Sequence, residues 1–293
     1  MKSLAKKSEY SNLIKNMSVI ICILLLLVGA IIYWWYSQRY VSTNDAYVGA
    51  NVVQIAPQVS GRVTQLNIKN NQYIAKDAIL FTIEQTPFTV ANNKAQAELT
   101  MALAKQQNAQ RTSERILELV NKKLMPAQNA DNVTADLQSA NAAVQQAQAG
   151  VAAAQLNLQY TTISAPTSGW VSNVSLRVGD TVTMDRPVFA LISDNEFWVD
   201  ANFKETDLEY IKPGQKADID VDMYSNQTFH GVVESISGAS GSAFSLLPPE
   251  NATGNWVKVT QRVPVRVKVI DLKTDEPLRI GTSANVTIHI KEE

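Results

Sequence analysis

Two stretches of this chain repeat one another across a long interruption, and that repeat limits the possible fold more than any other feature. Residues 55–83 (IAPQVSGRVTQLNIKNNQYIAKDAILFTI) and 163–191 (ISAPTSGWVSNVSLRVGDTVTMDRPVFAL) align without a gap from Gly61 and Gly169 onward, at a constant offset of 108. Paired positions include Val63/Val171, Leu66/Val174, Ile68/Leu176, Ile74/Val182, Asp77/Asp185, Leu80/Val188 and Phe81/Phe189. Both copies alternate apolar and polar residues over short runs broken by Pro, Gly, Asn and Asp, the pattern of half-buried strands and turns. Two small β units, each with one apolar face, can bury those faces against each other. The common opening, Ser-Gly-x-Val, argues against two unrelated strand segments that merely share alternation.

The interruption is of another kind. Residues 88–124 and 127–160 contain one glycine, Gly150, meet at Pro126, and favour helix formers. In the second arm Leu137, Val144, Val151 and Leu158 recur every seven residues, with Ala140, Ala147 and Ala154 between them, a heptad seam with small residues at alternate positions. The first arm keeps the spacing with Ala95, Leu99, Ala102, Gln106, Ala109, Ser113, Ile116 and Val120, some of them polar. The pattern predicts an antiparallel helical hairpin turning at Leu124-Met125-Pro126. At about 1.5 Å per residue each arm reaches roughly 50 Å. A compact bundle would need a third layer to cover the outward faces; Gln and Asn there suit water or neighbouring copies of the same hairpin.

Only 18% of residues are charged, below the roughly 25% of an average soluble domain, and one segment stands out as wholly uncharged. Met17–Tyr36 (MSVIICILLLLVGAIIYWWY) has no charge, and a helix of that length spans roughly 30 Å, the hydrocarbon thickness of a bilayer. Tyr33, Trp34, Trp35 and Tyr36 close it with rings suited to the membrane interface. A cleaved signal peptide would show a short apolar run and a small-residue cleavage site; bulky aromatics and Gln38-Arg39 follow instead, and no lipoprotein-type signal surrounds Cys22. Lys2, Lys6, Lys7 and Lys15 against Glu9 leave residues 1–16 with a net charge of +3. Basic flanks stay inside, so the tail is expected in the cytoplasm and everything beyond residue 39 outside it. Elsewhere no apolar stretch approaches the roughly 18 residues a second span needs.

Beyond residue 196, Phe197–Phe203 reads as a strand, residues 205–211 as a short helix closed by Lys212-Pro213-Gly214, and 216–222, 228–236, 256–270 and 283–290 as strands. These predict a small all-β barrel or sandwich. Residues 237–255, rich in Gly, Ser, Ala, Asn and Pro, read as a loop.

Little in the chain points to catalysis. A net charge of −1 lacks the basic excess of a nucleic-acid binder. One cysteine excludes an intrachain disulfide or a CxxC pair, and His230 and His289 have no metal-site spacing. Asp218, Asp220 and Asp222 alternate along a strand without the glycine and distant glutamate of a calcium loop, and read as a solvated face. Nucleotide-binding and GxSxG motifs are absent. Asn-x-Ser/Thr triplets such as Asn251-Ala252-Thr253 read as incidental.

Anchor, half-motif, hairpin, second half-motif and barrel, in that order, resemble the HlyD-type membrane fusion proteins, periplasmic adaptors of bacterial efflux and secretion machines. The most specific stretches are Asn44–Val48 (NDAYV), Trp198–Thr206 (WVDANFKET), Leu246–Lys258 (LLPPENATGNWVK) and Gln261–Arg266 (QRVPVR). They resemble the EmrA branch, which implies work with a major-facilitator drug exporter of the inner membrane and a TolC-like outer-membrane channel, and self-association into a ring. The implied fold is mainly β with a long α-helical coiled-coil hairpin, a single N-terminal transmembrane helix, a split lipoyl-like (barrel-sandwich hybrid) domain and a C-terminal β-barrel domain. Its segments are a tail (1–16), anchor (17–36), barrel strand (44–54), lipoyl-like half (55–86), hairpin (87–160), second half (161–194) and barrel (195–293).

Arg115 and Leu119 match two positions of the family's hairpin-tip motif, while Pro126 stands where that motif has serine, so the resemblance makes Arg115 and Leu119 the channel-contact candidates. Arg262 and Arg266 are candidates for contact with the transporter or a neighbouring copy. The hairpin is short for an adaptor of a major-facilitator pump, a trait shared with AaeA-like adaptors of aromatic-acid export. That exporter class, and ABC-type secretion, are the alternatives. A lipoyl-like fold also raises a carrier role, but Glu84–Phe88 occupies the turn where a modified lysine would sit, and Lys76 lies in an earlier turn. The expectation is therefore an adaptor rather than an enzyme, with no cofactor, metal or nucleic acid.

Overall fold

The computed structural model describes residues 40–241, 259–272 and 276–290, together with Val28. The predicted anchor and its aromatic cluster, Val28 apart, lie outside the described residues, as does most of the 237–255 loop. Among the described residues no helix is long and apolar enough to cross a membrane. The chain divides into two units, one formed by residues 52–195 and the other by the segments on either side.

The first unit contains both repeat copies, and they close into one body. Its strands are β2 (Gly61–Leu66), β3 (Tyr73–Ile74), β4 (Ile79–Ile83), β5 (Thr162–Ser164), β6 (Gly169–Ser172) and β7 (Thr181–Val182), with the end of β1 (Tyr40–Ile55) and the beginning of β8 (Phe189–Lys204). The halves interlock reciprocally. β2 of the first copy pairs with β7 of the second, Gly61 opposite Val182; β3 pairs with β6 in the equivalent way, Ile74 opposite Gly169. The backbone bonds follow the same exchange: Asn71 N–H donates to the Val171 carbonyl and Gly179 N–H to that of Val63, both at 2.9 Å. Asp77 N–H donates to the Ala165 carbonyl and Asp185 N–H to that of Pro57. Each donor and acceptor has its counterpart 108 residues away, the signature of a pseudo-twofold pair.

The left-handed turns are duplicated too. Asp77 (φ 64°) and Asp185 (φ 59°) share one repeat position, and Asn71 (φ 62°) and Gly179 (φ 100°) another. Asp, Asn and Gly are the residues that tolerate this region. The enclosed core takes side chains from both copies, among them Val63, Ile74, Phe81 and Ile83 with Val171, Val182, Phe189 and Leu191.

Two long helices interrupt this unit, α1 (Thr86–Asn121) and α2 (Ala127–Gln159). They pack mainly on each other. Beyond the first turn of α1, its shielded residues include Ala95, Leu99, Ala102, Gln106, Ala109, Ser113, Ile116 and Val120; those of α2 include Leu137, Ala140, Val144, Ala147, Val151, Ala154 and Leu158. These are the positions that the heptad spacing marks. The Gln106 amide donates to Asn141 Oδ1 across the pair at 2.8 Å, and Gln85 reaches the Thr161 and Thr162 hydroxyls at 3.1 Å. The two arms are therefore antiparallel. Phe88 and Tyr160 pack at their base against the β core.

The second unit is a closed ring of strands in the order β1, β12 (Ser283–His289), β9 (Lys216–Val221), β10 (Thr228–Ile236), β11 (Arg262–Val269), β8, with β8 pairing back to β1. Burial alternates along most of the ring, as in β11 where Val263, Val265, Val267 and Val269 point inward. Three sequence readings need correction. β8 is a single strand of 16 residues running from one unit into the other, because nothing between Phe189 and Lys204 is Pro or Gly. The expected helix at 205–211 is a 3₁₀ turn of Glu205–Asp207, since i→i−3 bonds at Tyr210 and Ile211 carry the chain straight into Lys212-Pro213. The strand expected at 256–270 is confined, among described residues, to Arg262–Val269.

Candidate functional site

The helical turn is built by a cap that uses one of the predicted contact residues. Lys123 adopts φ 58°; its N–H donates to the Val120 carbonyl, and Leu124 N–H donates to the Leu119 carbonyl at 2.9 Å. This pair of bonds is a Schellman motif, which satisfies carbonyls a helix end would otherwise leave open. Pro126, extended at ψ 148°, then enters α2, a position where its missing N–H costs nothing.

Arg115 and Leu119 lie one turn apart on the exposed flank of α1. Among the described residues the Arg115 guanidinium makes only local, long bonds, to the Arg111 carbonyl at 3.3 Å and the Thr112 hydroxyl at 3.5 Å. Sequence reasoning missed Leu124, which is 69% exposed at the turn itself; an apolar residue where turn chemistry favours polar ones was the available signal. Leu117 and Leu119, each 37% exposed, extend the apolar surface.

The two barrel arginines have internal partners. Arg266 donates to both Asp200 oxygens, Nε at 2.9 Å and Nη2 at 3.3 Å, and lies 4.6 Å over the Trp198 ring. Trp198 Nε1 donates to the same carboxylate at 2.9 Å. That hydrogen-bonded carboxylate holds the guanidinium more firmly protonated than usual, and the stack adds a cation–π attraction. Arg262 Nη1 donates to the Asn202 carbonyl (2.9 Å) and the Thr43 hydroxyl (3.3 Å) and lies 3.5 Å from Asp45. Tyr33, Trp34, Trp35 and Tyr36 fall outside the described residues.

The reading of Asp218 as simple solvated surface is corrected. His230 Nδ1 and His289 Nε2, far apart in sequence, meet its two oxygens at 3.0 and 2.8 Å, because β9 lies between β10 and β12. Among the described residues no group of three His, Cys, Asp or Glu side chains could hold a metal ion.

Known proteins share both units. Residues 51–193 match the model of the RND MFP barrel-sandwich hybrid domain, and residues 196–289 that of the AAEA-like β-barrel domain. The chain is 36% identical to the probable multidrug resistance protein EmrK of Escherichia coli (strain K12), over 86% of this chain and 78% of that one. It is 31% identical to the multidrug export protein EmrA of Haemophilus influenzae, over 99% of this chain and 87% of that one. Its fold is similar to the membrane fusion protein Spr0693 of Streptococcus pneumoniae R6 (TM-score 0.63, 17% identity), over 86% of this chain and 99% of that one.

Proposed function

Since the chain belongs to the membrane fusion protein family, in its EmrA-like branch, we propose that it is the periplasmic adaptor of a small-molecule efflux pump. In this reading Met17–Tyr36 anchors the chain once in the inner membrane beside a major-facilitator-type transporter, with the short tail in the cytoplasm. The paired helices act as a coiled-coil hairpin directed at a TolC-like outer-membrane channel, and copies of the chain assemble into a ring. The protein carries no reaction of its own; the transporter's ion gradient drives export. Adaptors of aromatic-acid exporters and of ABC-type secretion systems are the competing assignments, separated by crosslinking in membranes and identifying the attached transporter.

The observation that carries the proposal is the reciprocal closure of residues 55–83 on 163–191 around the inserted helices. This arrangement presents the turn, with Arg115, Leu119 and Leu124, at the far end of two arms from a rigid β base. Arg115 and Leu119 are assigned to the channel contact. The test is deletion of residues 89–159, which is expected to leave membrane insertion intact and abolish drug or acid tolerance in cells that depend on this chain. Unchanged tolerance would refute the adaptor role.

A further inference from the structure

At one end of the barrel ring a polar pocket of about 430 Å³ opens between β1, β8, β11 and β12. Its charges are two cations and one carboxylate, Lys204, Arg262 and Asp207. Lys204 is exposed and its ammonium has no ion pair or hydrogen bond among the described residues. Among the described residues Arg262 is pinned through Nη1 alone, which leaves Nε and Nη2 to donate elsewhere. Among the described residues the Asp207 carboxylate receives only the Thr206 hydroxyl, at 3.2 Å on Oδ1. The same pocket is lined by neutral hydrogen-bonding side chains, among them Ser42 on β1 and Asn285 and Thr287 on β12. An anion alone would meet Asp207 as well as the cations; a ligand carrying both signs would satisfy all three.

The position of the pocket narrows the ligand. Ser42 lies opposite Thr287 and Tyr40 opposite His289, so this is the end of the ring at which β1 begins. In sequence, Ser42 follows the last residue of the apolar run, Tyr36, by six positions, and six residues extend at most about 20 Å. A pocket so tethered stays within reach of lipid headgroups. The geometry points to a binding site for a zwitterionic phospholipid headgroup bearing a phosphate and a primary ammonium: Lys204 and Arg262 take the phosphate oxygens by charge-assisted bonds, and Asp207 takes the ammonium. Such a contact would orient the barrel on the membrane surface beside the transporter. This inference rests on reading Met17–Tyr36 as an anchor, which alkaline carbonate extraction tests independently.

The experiment is native mass spectrometry of the full chain in detergent, titrated separately with phosphatidylethanolamine, phosphatidylglycerol and phosphatidylcholine. The wild type is expected to retain phosphatidylethanolamine preferentially, and K204Q and D207N each to weaken that retention by about tenfold, as losing one charge-assisted bond implies. Lys268, paired with Glu196 outside the pocket, supplies the control, and K268Q is expected to retain lipid like the wild type. Equal retention of the three lipids, or unchanged retention in both pocket variants, would overturn the site. Loss of the wild-type adduct to millimolar inorganic phosphate would reassign the pocket to free phosphate and overturn the lipid as ligand. A chain released by carbonate would instead defeat the anchor reading, whatever the pocket binds.

Discussion

Phe81 and Phe189 meet edge to face, their centroids 6.0 Å apart and their planes at 70°. They occupy the same position in the two repeat copies, 108 residues apart, and both are buried. The contact therefore joins the halves across the pseudo-twofold relation that shapes the unit. Truncating either ring removes a large buried side chain, so F81A or F189A is expected to cost about 3–5 kcal/mol. The double variant will cost less than the sum, because each single change already breaks the shared contact. Urea unfolding of the four proteins checks both statements.

In the barrel, Gly49 is held against Trp198: a Cβ at that position would lie 2.5 Å from Nε1 and 2.7 Å from Cε2. The indole cannot easily yield, since Arg266 covers it at 4.6 Å and Asp200 accepts its N–H. G49A is expected to destabilise the barrel by about 1–3 kcal/mol, the usual cost of overpacking. Adding W198F removes the indole nitrogen from the clash and is expected to recover part of that loss. Hydrogen exchange of the β1 amides measures the effect.

How much of this was legible follows from which residues carry local signals. The repeat was readable because paired apolar positions such as Val63/Val171 must both face one core, and the helical seam because burial recurs at heptad spacing from Ala95 to Val120 and from Leu137 to Leu158. The reciprocal strand exchange was not, since β3 and β7 have two residues each and no periodicity to detect. Nor was the meeting of His230 and His289 at Asp218, which depends on strand order rather than spacing. The Arg266–Trp198–Asp200 cluster likewise arises from register, Arg266 lying opposite Asp200. Of the tip, Arg115 and Leu119 came from a resemblance, while Leu124 emerged only from its exposure.

The turn between the helices holds a lysine where glycine is the natural occupant. Lys123 adopts φ 58° at the left-handed position of the Schellman motif, which costs an ordinary residue roughly 1 kcal/mol. K123G relieves that strain but adds freedom to the unfolded chain, so the net gain is expected to be small, about 0.5 kcal/mol. K123P will instead abolish the turn, because proline can neither take positive φ nor supply the N–H bonded to Val120. Thermal melting of the helical signal by circular dichroism distinguishes the two.

Acid sensitivity of the barrel is expected to centre on Asp218. Burial is the largest single influence and favours its neutral form, but the hydrogen bonds from His289 and His230, with their charge, outweigh it together and hold the carboxyl below its usual value. A carboxyl depressed in the folded state stabilises above its unfolded pKa, about 3.9, and that contribution disappears as pH falls through the lower folded value. The wild type will therefore keep this contribution at neutral pH and lose it progressively below about pH 4. D218N, with nothing to titrate, is expected to be less stable at neutral pH and to show a shallower acid limb. Replacing His289 by Gln, which retains a neutral donor but removes the charge, will move the wild-type limb toward higher pH. Urea midpoints measured across this range for the three proteins decide the matter: parallel acid limbs for wild type and D218N would show that the carboxylate between the two histidines contributes nothing to the pH dependence.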